Sequence, residues 1–159
     1  MAELRFGLGF DSHPRDAGRP LWLGGVSFED EPGLAGHSDA DVVCHALADA
    51  LLGAAGLGDL GHHFPDTEPA FEGMAGLDLL ARTVDLVWAE GLQPQSCDLT
   101  LIAERPAVAP RRDEIRRRLA AVLGIDDLGR VSVKAHRPEG LGLTGDGAAC
   151  LALAVLASR

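Results

Sequence analysis

At 159 residues and 47% hydrophobic side chains, the chain is long enough to bury a core without disulfides or a structural metal. Its formal net charge of -10 argues against general binding to a phosphate backbone, which needs a basic face. An anionic ligand is possible only where metals or backbone N–H groups locally reverse that sign.

Taken in order, Leu4, Phe6, Leu8 and Phe10 alternate with small or polar residues and predict a first strand ending at Asp11-Ser12-His13. Asp16 to Pro20 reads as a turn. Leu21 to Leu23 and Val26 to Phe28 flank Gly24-Gly25 as a small hairpin, and Glu29 to Gly33 reads as an acidic loop. Ser38 or Asp39 can cap a helix running to about Ala54, and Ser38 with Asp41 resembles a capping box. The stretch from Gly56 to Gly73, rich in Gly, Pro, Asp and His, lacks periodicity and is long enough to suggest a functional loop.

A second helix is expected from about Leu77 to Glu90, stopped by Gly91, with Leu80, Val84, Val87 and Trp88 on one side. Asp98 to Ala103 alternates as a strand. Pro110 to Leu123 reads as a third helix ended by Gly124, and Val131, Val133 and Ala135 as a further strand before the Gly-rich loop from Arg137 to Gly147. Ala148 to Ala157 is ambiguous, since its Ala and Leu content favours a helix while its continuous apolarity fits a strand buried on both faces. The pattern predicts one α/β domain of α+β type over residues 1–159, with a mixed β-sheet packed against helices. Cys44, Cys97 and Cys150 show no C-x-x-C spacing and sit in apolar stretches. With neither a signal segment nor a membrane-length apolar run, the chain reads as cytoplasmic.

If the first strand stays extended to His13, period-two alternation places Asp11 and His13 on one face. His45, on the following helix, is a candidate third ligand. Together they would form a three-ligand divalent metal site with one position open. Asp41 and Asp49 lie four residues to either side of His45, and either could accept its second N–H. Singly, each residue has a plainer reading: His13 and His37 in turns, Ser38 as a cap, Asp59 and Asp66 as turn formers. His62 and His63 are expected to be solvated, and Arg111, Arg112, Arg116, Arg117 and Arg118 to form the wet face of a helix.

The order of several motifs changes the weight of these readings. Gly9-Phe10-Asp11-Ser12-His13, Ala35-Gly36-His37-Ser38-Asp39-Ala40-Asp41, His45-Ala46-Leu47, Asp49 to Gly53 and Gly58 to Thr67 follow one another along the chain. In this order they closely resemble the 2-C-methyl-D-erythritol 2,4-cyclodiphosphate synthase family of the non-mevalonate isoprenoid pathway. The resemblance implies a homotrimer with active sites between subunits and a cytidine diphosphate substrate. The implied reaction is a cyclisation in which the substrate's 2-phosphate attacks its own diphosphate and expels CMP. It also implies that Asp11, His13 and His45 hold zinc, with a substrate phosphate in the fourth position.

By the same resemblance, His37 and Ser38 lie against the diphosphate, and His37 stabilises transition-state charge. Asp59, Leu60 and Gly61 contact the methylerythritol part, beside a mobile loop of Phe64, Pro65, Asp66, Thr67 and Glu68. Ala103, Glu104, Arg105, Pro106, Ala107, Val108 and Ala109 form the cytidine pocket, with His136 and Leu143 also contacting substrate. Glu139 is the implied ligand of a second divalent ion, magnesium or manganese.

Three departures are visible. Ala107 stands where the family usually has Lys. Arg137 stands where it has a Thr credited with transition-state stabilisation, which makes Arg137 a candidate phosphate clamp and catalytic residue. Thr144-Gly145-Asp146-Gly147 lacks an Arg associated with isoprenoid diphosphate binding on the trimer axis, so weak binding there is expected. The competing readings are a zinc phosphohydrolase and a non-catalytic metal- and nucleotide-binding trimer.

Overall fold

A computed structural model describes residues 3–159. The alternation at the N-terminus does form a strand, but β1 (Leu4–Leu23) runs well past His13. It serves two partners. Leu4 to Pro14 pairs antiparallel with β5 (Gly147–Ser158), and Arg15 to Leu23 pairs antiparallel with β2 (Val26–Leu34). The expected turn at Asp16–Pro20 is instead a bulge. Gly33 lies opposite Asp16 and Pro32 opposite Pro20, which leaves Ala17, Gly18 and Arg19 outside the ladder. Asp16 Oδ1 accepts the Gly18 N–H at 2.9 Å, the local chemistry that the sequence had suggested for a turn. Positive φ values of 59° and 74° at Gly24 and Gly25 close the expected two-residue hairpin. The acidic stretch Glu29–Gly33 belongs to β2, because the second half of β1 gives it a pairing partner.

The first long helix, α1 (Val42–Ala55), starts later than either Ser38 or Asp39 would make it. Asp41 is the cap. Its carboxylate is completely buried and accepts the N–H groups of Val43 and Cys44, each at 3.1 Å. The same carboxylate accepts Gly24 N–H at 2.8 Å and Gly25 N–H at 2.7 Å, tying the hairpin turn to the helix start. Local propensity could not reveal this choice, because two of the four donors lie on another element. Apart from Asp49 and Gly53, every residue of α1 is buried, as suits a helix enclosed between the sheet and a second helix layer.

Within the Gly56–Gly73 stretch lie the short helix α2 (Leu60–His63) and a 3₁₀ turn at Pro69–Phe71. The next helix, α3 (Gly76–Ala89), buries Leu79, Leu80, Val84 and Val87. β3 (Leu92–Ala103) begins before the expected Asp98, since Leu92 already pairs with Ser158. A 3₁₀ turn at Ala109–Arg111 leads into α4 (Arg112–Leu123), and the left-handed Gly124 ends that helix as expected. β4 (Val131–His136) lies parallel to β3.

The ambiguous C-terminal run is a strand. β5 pairs with β1 on one side and β3 on the other, so tertiary pairing overrides the helix propensity of its alanines. The sheet order is β2-β1-β5-β3-β4, a mixed sheet with helices on one face. This matches the expected fold class. The other face carries Leu4, Phe6, Leu8, Phe10, Leu151 and Leu153, all exposed.

The helix layer approaches β1 unusually closely, and glycine is the reason. A Cβ on Gly7 would lie 1.9 Å from the Ala50 carbonyl oxygen, and one on Gly9 would lie 2.0 Å from that of Ala46. Ala46, Ala50 and Ala54, at four-residue spacing, present the matching small face of α1. Gly9→Ala is therefore expected to push α1 off the strand and cost about 2 kcal/mol or more. By contrast, a Cβ on Gly53 meets nothing within 4 Å, so Gly53→Ala should be neutral or stabilising by up to about 1 kcal/mol. Urea unfolding midpoints at unchanged slope measure both; equal effects would contradict the packing explanation.

Candidate active site

That close approach brings the imidazole of α1 to the strand. His45 Nδ1 lies 3.2 Å from Asp11 Oδ2, and His13 Nε2 lies 3.0 Å from the same oxygen. Asp11 and His13 share the helix-facing side of β1 with Gly7 and Gly9, as period-two alternation predicts. The ligand atoms of Asp11, His13 and His45 all lie within 4.8 Å of one another. Among the described residues, this is the one group of three or more side chains arranged to hold a metal.

The donor set fits a divalent ion of borderline softness, with two neutral nitrogens and one anionic oxygen. Ligands about 2.0–2.1 Å from a tetrahedral centre lie about 3.3 Å apart, close to both Asp11–His separations. Burial pushes the Asp11 carboxyl up, but hydrogen bonds from His13 and His45 outweigh it and hold its pKa at about 2. Burial works against a charged His45. Asp11, with help from Asp41 and Asp39, reverses that effect and raises its pKa. The site is electrostatically negative before any ligand arrives, which favours a cation.

The outer contacts differ from those expected. Neither Asp41 nor Asp49 orients His45. Asp41 is occupied by its four backbone donors, and Asp49 accepts Leu60 N–H at 3.1 Å. Ser38 takes the orienting position, with its Oγ 3.1 Å from His45 Nε2. Asp39 Oδ1 lies further out, at 3.9 Å from the same nitrogen. Asp39 also accepts Gly76 N–H at 2.7 Å and Asp41 N–H at 3.0 Å. Burial, then the neighbouring Asp41 charge, raises its pKa. The Arg19 guanidinium, projecting from the β1 bulge, donates to the carbonyls of Gly36 and Ser38 and so brackets His37.

A cavity of about 260 Å³ opens over the three ligands. His37, Ser38, Leu60, Phe64 and Asp66 line it, all of them residues singled out in the sequence. Gly36, Phe71 and Leu79 also line it and were missed; Phe71, packed edge-on to Phe64 at 5.4 Å, was signalled only as an isolated aromatic near the loop end. The segment closes over the site through His37 Nε2, which lies 3.2 Å from the Glu68 carbonyl. Asp59 caps α2 through His62 N–H at 2.9 Å, while Gly61, Pro65 and Thr67 fall outside the cavity lining. His62 and His63 stay outside the ligand group; His62 is exposed, and His63 Nε2 sits 2.8 Å from the Leu57 carbonyl.

A second cavity, of about 190 Å³, lies at the same end of the sheet. The register explains its place: His13 and Ala103 are both opposite Ala148, from the two sides of β5. They are therefore separated by about 10 Å, or two strand spacings. Ala103, Pro106, Ala107, Val108, Ala109, His136 and Arg137 line this cavity as expected, and Leu101, Ala135 and Arg112 complete it. Arg112 was assigned to a solvated helix face, but it turns inward here.

Glu104, Arg105, Glu139 and Leu143 lie outside that lining. Glu104 Oε1 accepts Gly140 N–H at 2.9 Å, which fastens the loop carrying Glu139 to the end of β3. The Arg105 carbonyl accepts from Arg15, two residues beyond His13. Glu139 is exposed at a positive φ of 54° and joins no cluster of metal-ligating side chains among the described residues. Leu143 is 68% exposed.

Comparison with known proteins places the whole chain beside one group of enzymes. A 2-C-methyl-D-erythritol 2,4-cyclodiphosphate synthase of Symbiobacterium thermophilum is 52% identical over 158 residues, covering 98% of this chain and 100% of that protein. The bifunctional IspDF of Campylobacter jejuni has a TM-score of 0.94 at 37% identity, covering 100% of this chain and 43% of that one. A CDP-bound 2C-methyl-D-erythritol-2,4-cyclodiphosphate synthase has a TM-score of 0.87 at 36% identity, covering 96% of this chain and 99% of that chain. The YgbB family model matches residues 4–158, and the chain belongs to that family.

Proposed function

We propose that this chain is a 2-C-methyl-D-erythritol 2,4-cyclodiphosphate synthase that acts on 4-diphosphocytidyl-2-C-methyl-D-erythritol 2-phosphate, with residues 1–159 acting as one catalytic domain. The observation that carries the reading is the placement of the Asp11–His13–His45 group and the Ala103–Ala109 cavity at one end of one sheet. The full-length synthase relative supports it. An oxygen of the 2-phosphate attacks the diphosphate phosphorus nearest the methylerythritol. The bond from that phosphorus to the CMP oxygen breaks, and CMP leaves with the electron pair. No water is consumed. A phosphate monoester leaves readily because its second pKa is about 6, so the reaction needs no strong general acid.

The side chains found in the site suit this task. Both reacting groups belong to one molecule, so positioning and charge neutralisation dominate. Asp11, His13 and His45 would hold zinc, which when bound supplies Lewis acidity toward a phosphate oxygen. Ser38 orients His45, and His37, fixed by Arg19 and Glu68, faces the substrate's phosphates and stabilises charge on them. Arg137 clamps phosphate from the nucleotide side. Glu139 would hold magnesium or manganese, which when bound would neutralise phosphate charge. The methylerythritol part lies along Leu60, Phe64 and Asp66.

The bare sheet face supports a homotrimer with active sites between subunits. Leu8 pairs opposite Leu153, and Phe10 opposite Leu151, giving a contiguous apolar face that isolated chains rarely leave in water. Light scattering should return three times the 16.6 kDa chain mass, and Leu8→Glu combined with Leu153→Glu should lower it. A monomeric wild type would contradict the assembly.

Chelation should abolish CMP release, and zinc with magnesium should restore it. His45→Ala should remove stoichiometric zinc binding, while Ser38→Ala should weaken it about tenfold, read by competition with a chromophoric chelator. Full turnover by metal-free His45→Ala would refute the proposed role of the metal.

A further inference from the structure

Arg112 has a chemical role that its place on a charged helix conceals. Its neighbours are satisfied within the protein or by water. Arg111 donates to the Ser27 carbonyl at 2.6 Å and to Glu114 at 2.7 and 2.9 Å. Arg116 donates to the carbonyls of Val131 and Leu128, each at 2.7 Å, and to Asp113 at 2.9 Å. Arg118 reaches Glu114 at 3.0 Å, and Arg117 is exposed, where water can serve it.

Arg112 differs from all of them. Its Nε is buried and has no hydrogen-bond partner, and no ion pair or hydrogen bond reaches its guanidinium among the described residues. A buried donor on a group that can only donate is costly unless an acceptor arrives from elsewhere. The same side chain lines the cavity built from Leu101, Ala103, Pro106 and Ala135.

The same cavity is lined by Arg137, which likewise has no intramolecular partner among the described residues. No carboxylate lines the cavity, although the chain has 24 acidic residues against 14 basic ones. Two arginines without internal partners and several small apolar side chains therefore line one cavity of about 190 Å³. This combination suits a planar heterocycle that carries oxygen acceptors and phosphate. Ala107 contributes no charge, so among the lining side chains only these arginines carry a permanent positive charge.

We infer that Arg112 is a nucleotide-recognition residue, its guanidinium donating to an acceptor oxygen of the cytidine nucleotide while Arg137 holds phosphate. The assignment rests on the nucleotide-dependent function proposed above. It adds a specificity-determining side chain from α4 to the loop residues of the cavity.

Isothermal titration of the full chain with cytidine, CMP and CDP tests the assignment on wild type, Arg112→Met and Arg112→Lys. The Met variant keeps much of the side-chain volume without a donor; the Lys variant keeps the charge but not the fork. Arg112→Met should weaken CMP and CDP binding about 10- to 100-fold, with Arg112→Lys between it and wild type. An equal fractional loss for cytidine places the contacted oxygen on the base; a loss confined to CMP and CDP places it on phosphate. Zinc affinity should stay at the wild-type value and melting temperature at or above it in both variants, separating recognition from misfolding.

Wild-type affinity of Arg112→Met for CMP and CDP would overturn the role of Arg112 and leave the proposed synthase intact. Matched losses of nucleotide affinity, zinc affinity and melting temperature in both variants would also overturn it, by showing a structural role. Failure of wild type itself to bind CMP and CDP would overturn both readings.

Discussion

The contact on which the site depends is the one between Gly7 and Gly9 of β1 and the Ala46–Ala50 face of α1. With no Cβ on the strand, the helix backbone lies directly against it, and carbonyl oxygens occupy the places where side chains would otherwise stand. His45 belongs to that helix, one residue before Ala46, and Asp11 follows Gly9 by two residues on the same strand face. The spacing of the glycines thereby sets the distance between a carboxylate and an imidazole. Asp41 fixes the other coordinate. Its four backbone hydrogen bonds hold the start of α1 against the hairpin turn, so the helix can neither slide nor tilt easily over the strand. The metal group is therefore preorganised by packing and capping.

Charge is distributed to match. A chain with net charge -10 would repel a substrate carrying three phosphates if its acidic residues lay around the site. At the metal end, the Asp11 carboxylate faces two imidazoles and favours a cation. At the nucleotide end, among the described residues, no carboxylate lines the cavity and Arg112 and Arg137 are left without internal partners. Arg15 and Glu104 join these regions to the framework, Arg15 by donating to the Arg105 carbonyl and Glu104 by accepting from Gly140. The proposed reaction needs this division, since one substrate must present phosphates to a cation and its pyrimidine to a protein cavity.

Much of this was legible in the sequence, and the failures have definite causes. Asp11 and His13 could be placed on one face because strand alternation is a local property. His45 could be offered as a third ligand from its helix position, and the family resemblance gave that reading its weight. The orienting partner of His45 was misread because Asp41 and Asp49 have the right helical spacing, whereas Ser38 reaches the ring through the fold. The helix start was misread because Ser38 and Asp39 are good caps locally, but Asp41 alone also serves Gly24 and Gly25. β5 could not be distinguished from a helix because its alanines serve close packing under α1 rather than helical propensity. Arg112 was hidden among arginines whose charge pattern is that of a wet surface; what distinguishes it is a buried Nε with no partner among the described residues.

The claim that joins these observations is that the site directs one phosphate of the substrate onto another and leaves water out of the reaction. Turnover in ¹⁸O-water, followed by mass spectrometry of both products, tests it most directly. The account predicts an unlabelled cyclic diphosphate and unlabelled CMP. A linear methylerythritol phosphate product, or ¹⁸O incorporated into either product during turnover, would contradict it and identify a hydrolase.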